Sequence, residues 1–279
     1  MRNMMHQIKM IGLDLDGTLL NTKKELTEYS RDILRRALDK GIIVLVATGR
    51  PYTGIPEELR NFQGIRYALT SNGARVLDTE KGELLIEELL PIEDAVRALK
   101  VLQKYDTMPE IYFDGQGYAD EVKMEQIHKY HHNPHMWEYV RKSRVIVPDI
   151  MELAKQRAED MDKVQGLFAD MNEREQAWQE LMRDEKLELV GSLKYNIEIN
   201  AAGVNKGKSL VKLGELLGIR REEIMACGDG DNDVTMLREV GFSVAMGNAE
   251  ETVKQAADYI TETNDEDGAA KAIERYALL

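Results

Sequence analysis

Apolar positions along this chain follow two rhythms. Ile8–Leu15 is a short apolar run ending in acidic residues, the pattern of a strand buried on both faces of a parallel sheet. Between Leu26 and Lys40, the residues Leu26, Tyr29, Ile33, Leu34, Ala37 and Leu38 recur at helical spacing, and Gly41 is placed to end that helix. Ile42–Ala47 is a second β-branched run and opens into the polar turn Thr48-Gly49-Arg50-Pro51. A helix candidate follows, then a third strand at Tyr67–Ser71. Strands alternating with helices predict a parallel sheet covered on both faces.

From Ala74 the rhythm changes. Ala74–Leu77 and Leu84–Leu89 flank the turn-rich Asp78–Gly82 and predict a hairpin. Beyond Pro91 come a helix at Ile92–Tyr105, a strand at Glu110–Asp114 and a polar stretch holding most of the histidines. Lys163–Ala169, a further helix, Leu187–Val190 and Tyr195–Asn200 complete this mixed α+β region. The first rhythm then returns with a helix at Lys206–Leu217 and a strand at Ile224–Cys227. An acidic turn, another helix and the strand Phe242–Met246 follow. The expected architecture is α/β: a doubly wound, mostly parallel, Rossmann-like core at residues 1–83 and 191–279, interrupted by an inserted α/β cap at 84–190.

Composition narrows what such a molecule does. Fifty acidic against 37 basic residues give a formal charge of -13 and no basic run, which argues against nucleic acid and anionic membranes as partners. The single cysteine, Cys227, excludes an internal disulfide and fits a reducing, cytoplasmic compartment. Met1–Met10 is too polar for a secretory leader, and no apolar run approaches the ~20 residues of a membrane span.

Candidate chemistry sits where the core strands end. Asp14-Leu15-Asp16-Gly17-Thr18 closes the first strand, and residues two apart in a strand face the same way, so both carboxylates are expected at one site. Ligands of open α/β sheets bind at that edge. Asp229-Gly230-Asp231-Asn232-Asp233 follows a second apolar strand; three aspartates so close repel unless a cation gathers them, and hard oxygen ligands suit magnesium. As a helix cap the run would use one aspartate, and as a calcium loop it lacks the full ligand pattern. Thr48-Gly49-Arg50 offers a hydroxyl and free amides at a loop opening, as a phosphate cradle does, although taken alone it reads more readily as an ordinary polar turn between strand and helix. Lys206 heads a helix, against the helix dipole, which a nearby anion would explain; a plain solvated lysine is the alternative.

The order of these pieces resembles the haloacid dehalogenase-like superfamily, its four motifs matched by Asp14–Thr18, Thr48, Lys206 and Gly228–Asp233. Ser71-Asn72-Gly73-Ala74, Val244-Ala245-Met246-Gly247-Asn248-Ala249 and Asn264-Asp265-Glu266-Asp267-Gly268 are similar to the Cof-type sugar-phosphatase-like subgroup, which carries a large α/β cap between the second and third motifs. The resemblance covers both core segments, while the cap matches only in size and position. It implies a magnesium-dependent phosphatase of small phosphorylated metabolites. Asp14 would be the nucleophile that forms an aspartyl-phosphate, and Asp16 the acid and then the base. Magnesium would be held by the Asp14 carboxylate, the Asp16 backbone carbonyl and Asp229, with Asp233 in support. Thr48, Gly49, Lys206 and Asn232 would bind the phosphoryl oxygens. A phosphomutase, or a catalytically silent regulatory protein on the same fold, are the alternatives; intact Asp14 and Asp16 argue against the silent one.

Four of the five histidines, His128, His131, His132 and His135, have a spacing that a single helix would place on one face, a conceivable zinc site. Pro134 is expected to end that helix at Asn133, which leaves solvated or substrate-facing histidines as the better reading. Tyr112, Tyr118, Met136 and Trp137 are candidates for a pocket lining, although such residues are more often core.

Overall fold

The computed structural model describes residues 7–279, without the side chain of His135. The leader reading of Met1–Met10 therefore falls, for residues 1–6, outside the described residues. The chain forms two compact units, one of residues 1–48, 56–86 and 205–279, the other of 49–55 and 87–204. The expected borders at 83/84 and 190/191 thus move. The strand Asn196–Ala201 pairs with Lys163–Phe168 in the second unit's sheet, so 191–204 leaves the core.

The first unit is built on an eight-stranded sheet in the order Tyr259–Ile260, Phe242–Ala245, Ile224–Gly228, Met10–Leu13, Ile43–Ala47, Tyr67–Thr70, Arg75–Asp78 and Glu83–Glu87. The first six strands run parallel, and Arg75–Asp78 is antiparallel to its neighbour. Met10–Leu13 is buried throughout, as a central strand covered on both faces requires. Leu13 is in register with Val46 on one side and Cys227 on the other. The residues that follow, Asp14, Thr48 and Asp229, therefore emerge at one edge of the sheet.

Two helices hold that edge in place. Glu28–Asp39 starts on a Thr27 cap and buries Ile33, Leu34 and Ala37. Lys206–Leu216 starts on Asn205, whose side chain accepts from the Lys208 amide, and packs Leu210 and Leu213 with Met10, Leu45, Ile224 and Met236. Since the first turn of that helix is fixed by its cap, the position of Lys206 is fixed with it.

The second unit has a six-stranded sheet ordered Leu187–Val190, Asn196–Ala201, Lys163–Phe168, Thr107–Phe113, Gln116–Asp120 and Arg144–Val147. Its neighbours are antiparallel except the last pair. Ile111, Phe113, Val164, Phe168, Ile197 and Ile199 form one core with the helices Ile92–Leu102, Ile150–Arg157 and Met171–Leu181. The alternate residues Glu110, Tyr112, Lys163, Gln165 and Glu198 lie on the opposite face, yet these too are buried. Tyr112 is buried among them, and Trp137 packs beside the apolar cluster of Met108, Ile127, Tyr130 and Leu167.

The histidine stretch does not form one helix. Ile127–Tyr130 stops short, and Pro134 opens a new helix, Pro134–Ser143, at the position where its missing amide hydrogen costs nothing. His128 and His132 are exposed, but His131 is buried edge-on to Tyr195, so the solvated reading does not hold for it. Burial pushes the His131 imidazole down from 6.5 to about 4. A depressed folded-state value means that the unfolded chain takes up the proton first as pH falls. His131 should therefore remove stability between pH 6.5 and about 4, by at most about 3 kcal/mol. Urea unfolding of the protein and of His131→Phe at pH 7 and pH 4.5 checks this: the loss on acidification should be smaller in the variant, and equal losses would refute it.

Candidate active site

The first strand ends at Leu13, two residues earlier than the sequence pattern suggests, so both leading carboxylates lie beyond it. Asp14 is buried and its Oδ1 accepts from Lys206 Nζ at 2.6 Å. Asp16 lies in the turn that follows, half-buried, with Oδ1 2.7 Å from Lys24 Nζ. Strand alternation therefore does not set the direction of Asp16, whose charge nevertheless reaches Asp229 and helps to raise its pKa. Gly17 makes the turn possible: its φ is +88°, and a Cβ there would fall 2.3 Å from Asp229 Oδ2.

The acidic turn after Ile224–Gly228 closes from the other side. Asp233 is fully buried; its Oδ2 accepts the amides of Asp229 and Gly230 at 2.9 Å each, and its Oδ1 takes Lys206 Nζ at 2.7 Å. Asp229 Oδ1 accepts from Thr18 Oγ1 at 2.8 Å. Asn248 Nδ2 donates to the Gly17 carbonyl at 2.9 Å and approaches Asp229 Oδ2 at 3.4 Å. Asp14, Asp229 and Asp233 each offer an oxygen within 4.8 Å of the others.

Lys206 was expected to meet an anion, and it meets two carboxylates with no exposure of its own. Burial works against its ammonium, but Asp14 and Asp233 outweigh it and hold its pKa above the ordinary range. Burial raises the Asp14 carboxyl well above its ordinary value; Lys206 pulls it down, and Asp233 and Asp229 push it up. Asp229 is pushed up to about 7 by burial and then by Asp233. Three carboxylates around one ammonium leave an excess of negative charge, and every free donor is a hard oxygen. That donor set fits a divalent cation of the magnesium or calcium class.

Thr48 is buried at the end of its strand, and its carbonyl accepts the Asn72 amide at 3.1 Å. Asn232 is buried and donates through Nδ2 to Asn72 Oδ1 at 3.2 Å. Gly49 opens the segment 49–55, which belongs to the second unit. The structure thus gathers Asp14, Lys206, Asp229 and Asp233 directly, and joins Thr48 to Asn232 through Asn72.

Asn72 and its neighbours had no role assigned from the sequence. Ser71, Asn72 and Gly73 have φ of 50°, 60° and 102° in succession. Left-handed residues without a glycine cost of order 1 kcal/mol or more each and concentrate at functional sites. The Asn-Gly pair at a strand end was the available signal. Thr18 and Asn248 lay inside quoted motifs, whereas nothing local in the sequence marks Lys24 as the partner of Asp16.

A buried carboxylate, a lysine on it and an acidic cluster thus meet at the edge of a parallel sheet. Residues 11–273 match the haloacid dehalogenase-like hydrolase family, and the chain belongs to it. It is a phosphatase of that family, similar over its whole length to named phosphatases. The 5-amino-6-(5-phospho-D-ribitylamino)uracil phosphatase YcsE of Bacillus subtilis is 33% identical over 97% of this chain and 96% of its own. A haloacid dehalogenase-like hydrolase from B. subtilis superposes with a TM-score of 0.86 at 30% identity, over 98% of this chain and 100% of that one. The subclass IIB sugar phosphatase BT4131 does so with a TM-score of 0.82 at 27% identity, over 97% and 100%.

Proposed function

We propose that the chain hydrolyses phosphate monoesters of small metabolites, with magnesium, through an aspartyl-phosphate on Asp14. The observation that carries this reading is Asp14 itself: a carboxylate at the sheet edge, 2.6 Å from a fully buried lysine and clustered with Asp229 and Asp233. An Asp14 oxygen attacks phosphorus as the bond to the leaving oxygen breaks, and Asp16 gives that oxygen its proton. Asp16 then takes a proton from water, whose oxygen attacks phosphorus and breaks the bond to Asp14. Lys24, on Asp16, holds that carboxylate in place between the two steps. Lys206, Thr48, Asn232 and the Gly49 amide bind the phosphoryl oxygens as charge spreads over them. Asp14, Asp229 and the Asp16 carbonyl would hold magnesium, with Asp233 bracing the turn through two amides. When bound, the ion offsets the repulsion between Asp14 and the phosphate. The inserted unit selects the substrate.

The test is release of inorganic phosphate from a panel of sugar, nucleotide and cofactor phosphates, with a small aryl phosphate alongside. The compound named for the B. subtilis relative belongs at its head. Chelation should abolish release, and magnesium should restore it better than calcium, whose longer bonds and larger ligand number misplace the groups. Full turnover in excess chelator would overturn the reading. A second readout is independent of activity. In the metal-free protein Asp229, raised to about 7 from 3.8, keeps a proton that the unfolded chain has lost. The stability this brings is fully present below pH 3.8 and is lost as pH rises through 7. Magnesium should therefore raise Tm more at pH 8 than at pH 5, and equal shifts would contradict the site.

A further inference from the structure

The left-handed turn Ser71-Asn72-Gly73 adjoins three of the groups assigned to the phosphate, all within the first unit. Its Asn72 amide donates to the Thr48 carbonyl at 3.1 Å. The Gly73 carbonyl accepts from Ser209 Oγ at 2.9 Å, on the helix that Lys206 heads. A Cβ at Gly73 would fall 2.7 Å from the Asn205 carbonyl oxygen, so the turn and the cap of that helix are in close contact. The third contact is made by a side chain. Asn232 Nδ2 donates to Asn72 Oδ1 at 3.2 Å, and both residues are buried.

The first two contacts use only backbone atoms of the turn and ask nothing of the side chain at position 72. Glycine makes a left-handed residue at the lowest cost, and asparagine is one of the few others that tolerate it. What asparagine adds over glycine is its amide, and that amide meets Asn232. The two ends of the Asn232 amide have opposite chemistry: the nitrogen carries two donor hydrogens, and the oxygen only accepts. Phosphoryl oxygens are anionic and need donors, so an Asn232 amide turned end for end would repel them. In the structure Nδ2 points to Asn72, while Oδ1 lies against Gly230, where an added Cβ would meet it at 2.7 Å. Asn72 Oδ1 takes one Nδ2 hydrogen and leaves the other. Turning the amide over would set two acceptor oxygens against each other in a buried place.

We propose that Asn72 is a positioning residue for phosphoryl transfer: it fixes the orientation of the Asn232 amide, so that the second Nδ2 hydrogen is held for a phosphoryl oxygen. This rests on the phosphatase reading and on the place of Asn232 in it, and it deepens both. Asn72 acts through Asn232 and need not touch the substrate.

Asn72→Gly removes the acceptor and keeps the left-handed backbone at no strain. With 4-nitrophenyl phosphate it should lower kcat/KM by about 10- to 100-fold. Made in the Asn232→Ala protein, which has no amide to orient, the same change should cost at most about threefold. A turn that only braced the fold or the Lys206 helix would cost the same factor in both backgrounds. An equal loss in both, or no loss in the otherwise unaltered protein, overturns the proposal. If the glycine variant does not fold, NMR of the unaltered protein gives a second measurement, with the Asn232 side-chain signals assigned by their loss in Asn232→Ala. Saturation with magnesium and inorganic phosphate should shift one of the two Nδ2 proton resonances strongly and the other little. Equal shifts of both would overturn the proposal. If Asn232→Ala alone costs nothing, the proposal falls with the role of Asn232, while turnover itself upholds the phosphatase reading. If the unaltered protein releases phosphate from no ester, that reading fails and takes the proposal with it.

Discussion

Asp14→Asn should yield a folded protein whose phosphate release is slower by at least about 10⁴-fold on every substrate. The amide has almost the same shape, and its oxygen can keep the 2.6 Å contact from Lys206. What it loses is the lone-pair donor that attacks phosphorus and one charge of the cation-binding set. The same change removes a buried negative charge that Asp229 and Asp233 oppose, so stability should not fall. Inactivity with an unchanged or higher Tm separates a chemical role from a structural one. The measurements are kcat for a small aryl phosphate, on protein freed of host phosphatases, and thermal unfolding without metal. Phosphate release near that of the unaltered protein would remove Asp14 from the mechanism.

How much of this site could be read from the sequence depends on how local each determinant is. Parallel strands buried on both faces leave continuous apolar runs, so the ends at Asp14, Thr48 and Asp229 were legible, as was the helix headed by Lys206 on its Asn205 cap. The orientation of Asp16 was not, because it depends on the strand stopping at Leu13 rather than Leu15. Ser71 and Asn72 hide their left-handed backbone, since neither is glycine. The place of Asn196–Ala201 is decided by pairing with Lys163–Phe168, distant in sequence. Alternation along those strands marks Lys163, Gln165 and Glu198 as one face, but a polar face ordinarily means solvent. Only the structure shows that this face is buried and that, among the described residues, Glu110 Oε1 has no hydrogen-bond partner. His131 is the same case in a loop.

Lys206 is the residue whose removal should harm both stability and turnover. Its ammonium is wholly buried and lies 2.6 Å from Asp14 and 2.7 Å from Asp233, two carboxylates that otherwise face each other without a countercharge. Lys206→Met keeps most of the volume and removes only the charge, which leaves cavity formation out of the comparison. Breaking a buried pair at one partner costs roughly 3–5 kcal/mol, a large share of the 5–15 kcal/mol typical of a domain. The cost should be greatest at pH 8, where Asp229 is ionised as well, and smaller at pH 5, where protonation relieves the cluster. Magnesium should recover part of it by supplying positive charge to the same oxygens. Turnover should fall about 10²- to 10³-fold even with magnesium, because a charge aimed at the phosphoryl oxygens is gone. The variant should lose aryl and sugar phosphatase activity in equal proportion, since it meets the group that all substrates share. The experiment is urea unfolding at both pH values with and without magnesium, beside kcat/KM for an aryl phosphate and a sugar phosphate. If Lys206→Met unfolds at the same urea concentration as the unaltered protein and turns both esters over at its rate, the ammonium is neither countercharge nor catalyst.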